Sequence, residues 1–124
     1  MVETLRISDR SNSQLITLKR RYGVENWNVL CRWAFCLSLK EKTNPRREEG
    51  RSTGNLEIAW RTFGGDMQEI YLALLHDRCN RGGIARTKEN LTEQLRLHVE
   101  RGIGYLAANK DIRQIDDLFS LLGS

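Results

Sequence analysis

The feature that most constrains the fold is a nearly unbroken apolar stretch at residues 29–39, VLCRWAFCLSL. We predict a helix here, running from about Asn26 to Lys40. A helix that is apolar on nearly every face is buried on all sides, either in a large core or at a subunit interface. Because a chain of 124 residues has little room for a fully enclosed helix, we expect oligomerisation, with Trp33, Phe35 and Leu37 at the interface.

Helical patterns cover most of the remaining chain, so we predict a single compact, mostly α-helical domain over residues 1–124. Ser11 and Gln14 form a capping box at the start of a helix that ends at Gly23. Apolar residues at spacings of three and four predict further helices at residues 67–81, 91–107 and 111–122. Gly102 and Gly104 lower the helix propensity of the segment 91–107, which indicates close approach of another backbone or a helix break.

The N-terminal residues 3–8 alternate between polar and apolar side chains, which is typical of a short, half-exposed strand. A single strand needs a partner, and a second copy of the chain is one candidate source for it. Residues 55–63 are ambiguous, with a short strand or an extended segment both possible. The order of strand, helix, turn and helix is that of a ribbon-helix-helix protein, whose outward strand side chains would read bases: Thr4, Arg6 and Ser8.

Positive charge is concentrated in the first half of the chain, where residues 1–54 hold 11 cations and 6 anions. Most of the cations are arginines, which pair well with phosphate through two parallel hydrogen bonds. Lys19, Arg20 and Arg21 occupy the last turn of the first helix, where they act as a C-terminal cap, as phosphate contacts, or as both. Residues 42–54 read as a charged, mobile loop, in which Glu48 and Glu49 offset the arginines.

Several classes of protein receive little support from the residues. Cys31 and Cys36 lie in the apolar stretch as core residues, and His76 with Cys79 forms a single pair of candidate ligands, so we expect no metal and no cofactor. Carboxylates and histidines do not cluster in a pattern suited to hydrolysis, so we expect no enzyme. The lack of a signal region and of a long apolar span predicts a cytoplasmic protein without a membrane partner.

Four segments together resemble the DNA sulfur modification family DndE. Residues 28–41, NVLCRWAFCLSLKE, resemble the central helix of that family, and residues 18–23, LKRRYG, fit the segment before it. The other two segments are residues 70–75, IYLALL, and residues 91–107, LTEQLRLHVERGIGYLA. The segments occur in the family's order, whereas residues 55–63 fit loosely and the loop at 42–54 is unusually charged.

The resemblance implies a small helical protein that forms a homotetramer and has no known catalytic residues. It also implies a role beside other DNA sulfur modification proteins, which replace a non-bridging phosphate oxygen by sulfur, and binding to duplex, above all nicked, DNA. Because this chain has five lysines, we expect arginine to take over contacts that lysine makes in the family. The predicted DNA-binding residues are Arg6, Arg10, Lys19, Arg20 and Arg21. A ribbon-helix-helix repressor and a structural adaptor without DNA affinity remain the alternatives.

Overall fold

The structure is a computed structural model that describes Val2, residues 4–46 and residues 56–108. Within these residues a two-stranded sheet packs with five helices, as the predicted fold class requires. The elements are β1 (Thr4–Ile7), α1 (Asp9–Tyr22), α2 (Trp27–Leu39), β2 (Leu56–Ala59), α3 (Trp60–Gly64), α4 (Gln68–Arg81) and α5 (Lys88–Ala108). A short 3₁₀ turn, Gly65–Met67, joins α3 to α4. None of the described helices is both long enough and apolar enough to cross a membrane.

The partner of β1 lies in the same chain. β1 and β2 pair antiparallel, with Leu5 opposite Ile58 and Arg6 opposite Glu57. The partner strand therefore comes from the ambiguous segment at residues 55–63 and not from a second copy. Leu5 and Ile58 face the core, while Arg6 and Glu57 form an ion pair on the outer face.

Helix α1 starts three residues earlier than the capping box predicted. Ser8 is the N-cap, and its Oγ accepts a hydrogen bond from the backbone N–H of Ser11 at 3.2 Å. Ser8 is therefore buried at a helix start and does not face outward beside Thr4 and Arg6. The other end agrees with the prediction, since Gly23 closes the helix with φ of 65°.

The apolar helix α2 is enclosed by its own chain. It packs against α5, α1 and α3, and its contact with α5 is the most extensive in the fold. The two helices approach closely because Gly102 of α5 faces Ala34 of α2. A Cβ added to Gly102 would lie 1.8 Å from the carbonyl oxygen of Ala34. This confirms the close approach predicted for Gly102, and it shows that a small domain can bury this helix without a second copy.

The centre of the core is an aromatic cluster around Phe35. Its ring makes edge contacts with Phe63 at 5.9 Å, Tyr71 at 6.0 Å and His98 at 6.1 Å between centroids. Trp60 stacks on Phe63 at the edge of the cluster. Phe35 is fully buried within its own chain, so it offers no exposed surface to a second copy in this structure.

Two predicted segments fall partly or wholly outside the described residues. Of the charged loop at 42–54, residues 42–46 are described and contain no helix or strand. The helix predicted at 111–122 lies outside the described residues.

Candidate nucleic-acid interface

The three cations that close α1 point in different directions, because successive residues of a helix are about 100° apart. Arg21 reaches α5 and donates from Nη1 to the carbonyl oxygen of Leu106 at 3.3 Å. Lys19 lies over the ring of Trp27, 4.4 Å from its centroid. Arg20 is exposed on the side away from the core. The structure does not gather Lys19, Arg20 and Arg21 into one contact surface.

A cleft between α1 and α5 collects a different set of cations. Its volume is about 300 Å³, and three arginines line it: Arg10 from α1, Arg46 from the segment after α2, and Arg101 from α5. Gln14 and Tyr105 complete the polar and aromatic lining. We call this the α1–α5 cleft. Arg21 is eleven positions after Arg10, about three helical turns, and so lies on the same side of α1.

The charge of Arg101 is fixed in place by hydrogen bonds to two neighbouring segments. Its Nε donates to Oγ of Ser38 and its Nη2 to the carbonyl oxygen of Ser38, both at 2.8 Å. Its Nη1 donates to the carbonyl oxygen of Thr43 at 2.9 Å. A guanidinium held in this way loses little conformational entropy when it meets an anion.

The fixed cation also acts on the histidine behind the cleft. Ser38 Oγ lies 2.8 Å from Nδ1 of His98, and the imidazole is fully buried. Burial, followed by the positive charges of Arg101 and Arg78, lowers the pKa of His98 to about 3. His98 is therefore neutral at physiological pH and contributes no charge to the surface.

One anion, Glu100, stands in the wall of the α1–α5 cleft, and its charge is compensated inside the protein. The side chain is 2% exposed. Its Oε1 accepts from the Ser8 N–H at 3.2 Å and from Ser11 Oγ at 2.9 Å, and its Oε2 accepts from Arg96 at 2.6 Å. The arginines that line the cleft therefore set the sign of its potential.

The remaining predicted DNA-binding residues lie on two other surfaces. Lys19 and Arg20 line a cleft of about 390 Å³ at the corner between α1 and α2, together with Ile16 and Trp27. Arg6 lies on the exposed face of the sheet and pairs with Glu57. The five predicted cations are thus spread over three surfaces. In the α1–α5 cleft, Arg46 and Arg101 from other elements join Arg10.

The family assignment follows from the sequence match over nearly all of this fold. The family model described as DNA sulphur modification protein DndE matches residues 4–114. The chain belongs to the DndE family. This confirms the resemblance drawn from the four segments. No curated protein sequence gives a significant match.

Solved structures of DndE share the fold. The crystal structure of DndE from Escherichia coli B7A, which is involved in DNA phosphorothioation modification, matches with a TM-score of 0.68 and 23% identity. The match covers 86% of this chain and 99% of that chain. A glycine-to-lysine mutant of DndE involved in DNA phosphorothioation matches with a TM-score of 0.64 and 19% identity, over 85% of this chain and 99% of that one. At these sequence identities, the two matches show that the fold is shared.

Two of the cleft arginines are not among the DNA-binding residues predicted for this DndE-family sequence. The charge pattern around Arg46 favours a solvated loop over phosphate contacts, and no sequence motif marks Arg101 as a phosphate contact. A usable signal exists on α5, because Arg101 and Tyr105 are four residues apart and share a helix face beside Gly104. The convergence of Arg10, Arg46 and Arg101 joins three distant segments, so no local pattern reveals it.

The three interface residues proposed for this DndE-family chain differ in their surroundings. Phe35 is fully buried and Leu37 is 8% exposed, both within the chain's own core. Trp33 is half-buried and packs against the edge of that core. Among the described residues, no group of three or more His, Cys, Asp or Glu side chains is arranged to hold a metal ion.

Proposed function

We propose that this chain is a non-catalytic accessory subunit of the DNA phosphorothioation system that binds the phosphate backbone of duplex, above all nicked, DNA. The observation that carries the proposal is the α1–α5 cleft, where Arg10, Arg46 and Arg101 converge in a chain that belongs to a DNA sulfur modification family. Arginine forks match phosphate oxygens, and phosphate contacts supply affinity without sequence preference. Such binding suits a subunit that works beside other DNA sulfur modification proteins at many sites.

The two other cationic surfaces extend the contact in this proposal. Arg20 is exposed, and Lys19 stands next to it on the rim of the α1–α2 corner. Arg21 faces the α1–α5 side, so α1 presents cations towards both clefts. Arg6 is a weaker candidate, because its guanidinium already pairs with Glu57 and a phosphate would have to displace that carboxylate.

The proposal also includes assembly and location. We expect a homotetramer in the cytoplasm, with Trp33 as the best remaining candidate of the three interface residues because it is the least buried. Assembly would place the arginine clefts of several copies along one DNA segment. Simultaneous contacts of this kind raise overall affinity without any new contact type.

A titration of three DNA forms tests the proposal. Intact duplex, nicked duplex and single strand of one arbitrary sequence are compared at two salt concentrations. We expect salt-dependent binding to duplex, tightest for the nicked form. The double variant Arg10→Ala with Arg46→Ala should reduce the slope of log affinity against log salt by about two, one for each lost phosphate contact.

The matched control removes two exposed arginines that do not line the α1–α5 cleft. Arg81→Ala with Arg86→Ala changes the net charge by the same amount. Equal losses in both double variants would reduce the effect to net charge and contradict the assignment of the cleft. Absence of binding to any DNA at low salt would favour the structural adaptor. A preference of 10³ or more for one sequence would favour the repressor.

A further inference from the structure

Gly104 has no structural reason to be glycine in the described fold. It lies inside the 21-residue helix α5, where glycine lowers helix stability relative to alanine. An added Cβ at Gly104 would meet no atom within 4 Å, whereas one at Gly102 would collide with Ala34. Its backbone φ is not positive, so no turn requires it. What Gly104 does is line the α1–α5 cleft and leave space there.

The lining of this space combines two kinds of chemistry. Arg10, Arg46 and Arg101 supply positive charge, and the Arg101 guanidinium is held by Ser38 and Thr43. Tyr105, the next residue after Gly104, also lines the cleft and is 40% exposed. Arginine recognises phosphate, and an exposed aromatic ring is a platform on which a nucleobase stacks.

The size of the space limits the ligand. At about 300 Å³, the α1–α5 cleft is at the small end of the range for ligand pockets. It is too short for a stretch of stacked bases and suits one unit. A duplex bound by its backbone presents phosphates but keeps its bases stacked inside, so it leaves the Tyr105 side of the cleft unused.

We propose that the α1–α5 cleft binds a single nucleoside phosphate, with the phosphate among Arg10, Arg46 and Arg101 and the base against Tyr105. The nucleotide is either an unpaired nucleotide of a DNA strand or a free nucleotide. The first source rests on the proposed DNA-binding function, whereas the second does not. Gly104 lines the same cleft, so a large side chain at this position would occupy space that the ligand needs.

The test compares a whole ligand with its parts. Affinities of the full chain are measured by calorimetry for deoxyadenosine 5′-monophosphate, deoxyadenosine and inorganic phosphate. We expect the nucleotide to bind more tightly than either part. Tyr105→Ala should weaken nucleotide binding by about 5- to 100-fold, the range for loss of one base–aromatic stack, while Tyr105→Phe should retain it.

A second variant fills the cleft without damaging the fold. Gly104→Leu should abolish nucleotide binding, and its thermal unfolding should occur at or above the temperature of the parent, because leucine favours helix. Gly104→Ala is the control, since a single methyl leaves most of the space. Nucleotide binding by Gly104→Leu equal to that of the parent would overturn the proposal, as would a parent that binds no nucleotide.

The DNA arm identifies the source of the nucleotide. A nicked duplex with a one-nucleotide 5′ flap is compared with a fully paired nicked duplex. If the ligand is part of a strand, the parent prefers the flap and Gly104→Leu loses that preference. If it is a free nucleotide, the parent binds the flap duplex and the fully paired nicked duplex equally tightly. A parent that binds the mononucleotide but no DNA contradicts the proposed function and leaves the cleft assignment standing.

Discussion

At the scale of single residues, Gly102 and Gly104 have opposite structural roles, because residues two apart in a helix point about 200° away from each other. Gly102 is required by packing, because a Cβ there would lie 1.8 Å from the Ala34 carbonyl oxygen. A Cβ added to Gly104 would meet no atom of a neighbouring element within 4 Å. Glycine is thus required by a neighbouring backbone at position 102, whereas position 104 borders an open cleft that has room for a side chain.

The pair gives a stability prediction with an internal control. Gly102→Ala should reduce the free energy of unfolding by about 3 kcal/mol, because α2 and α5 must separate to accommodate the methyl group. Gly104→Ala should raise it by about 1 kcal/mol through better helix propensity. Urea unfolding of both variants measures the difference. Similar changes for the two would show that α2 and α5 are not packed as closely at Ala34 as described.

The buried imidazole of His98 predicts a pH dependence of stability. Its pKa is about 3 in the folded chain and 6.5 as an unperturbed group, so the unfolded state binds the additional proton between these values. Stability from this residue is therefore present above pH 6.5 and is lost as the pH falls towards 3. Near pH 5 the loss amounts to about 2 kcal/mol.

The measurement compares the parent with His98→Asn, whose side-chain oxygen retains an acceptor for Ser38. The variant should be less stable at neutral pH, but the gap should narrow by about 2 kcal/mol between pH 7 and pH 5. Carboxylates titrate in both chains, so their effect cancels in the difference. A gap that does not change with pH would mean that His98 is protonated inside the fold.

At the scale of elements, the helices show where local sequence is sufficient and where it is not. The end of α1 at Gly23 and the extent of α2 agree with prediction, because caps and apolar periodicity are local signals. The pairing of β1 with β2 brings Leu5 to Ile58, and no local pattern specifies a partner so distant in the chain. The α1–α5 cleft is equally hard to predict, because its arginines come from segments far apart in the chain. Local patterns select Arg10 but not Arg101.

The end of α2 is a further example of a long-range solution. The helix has no basic residue in its last turn. Arg78 of α4 donates instead to the carbonyl oxygens of Leu39 and Glu41, and Arg101 of α5 donates to that of Ser38. Cations at this end also suit the negative pole of the helix dipole. Two helices thus supply a cap that the sequence of α2 itself lacks.

The start of α1 gives a prediction at this scale. Ser8→Ala removes the oxygen that accepts the Ser11 N–H, and should reduce the free energy of unfolding by about 1 kcal/mol. Ser13→Ala is the control, because Ser13 is exposed inside the same helix and alanine favours helix there. Thermal unfolding of the two variants checks the assignment. A larger loss for Ser13→Ala would place the cap elsewhere.

At the scale of the whole molecule, the burial of α2 changes the argument for assembly. The apolar character of this helix is accounted for by α1, α3 and α5, so it no longer requires a second copy. Apolar surface nevertheless remains exposed where the 3₁₀ turn leads into α4, since Met67 of the turn is followed by Ile70 and Leu74 of α4 at spacings of three and four. Together with half-buried Trp33, this surface is what a homotetramer could still cover.

Trp33→Glu decides whether α2 takes part in assembly. If Trp33 lies at a contact between copies, the charge lowers the mass measured by light scattering from that of a tetramer to that of a smaller species. The circular dichroism spectrum should remain helical, since Trp33 packs at the edge of the core and not within it. Ile16→Glu, which places the same charge at an exposed apolar residue of α1, should leave the mass unchanged.

An unchanged mass for Trp33→Glu, with dissociation of Ile70→Glu, would move the contact from α2 to α4. The cleft variants alter Arg10 of α1 and Arg46 of the segment after α2. DNA binding by a dissociated form would therefore separate the contribution of a single cleft from that of the assembled set.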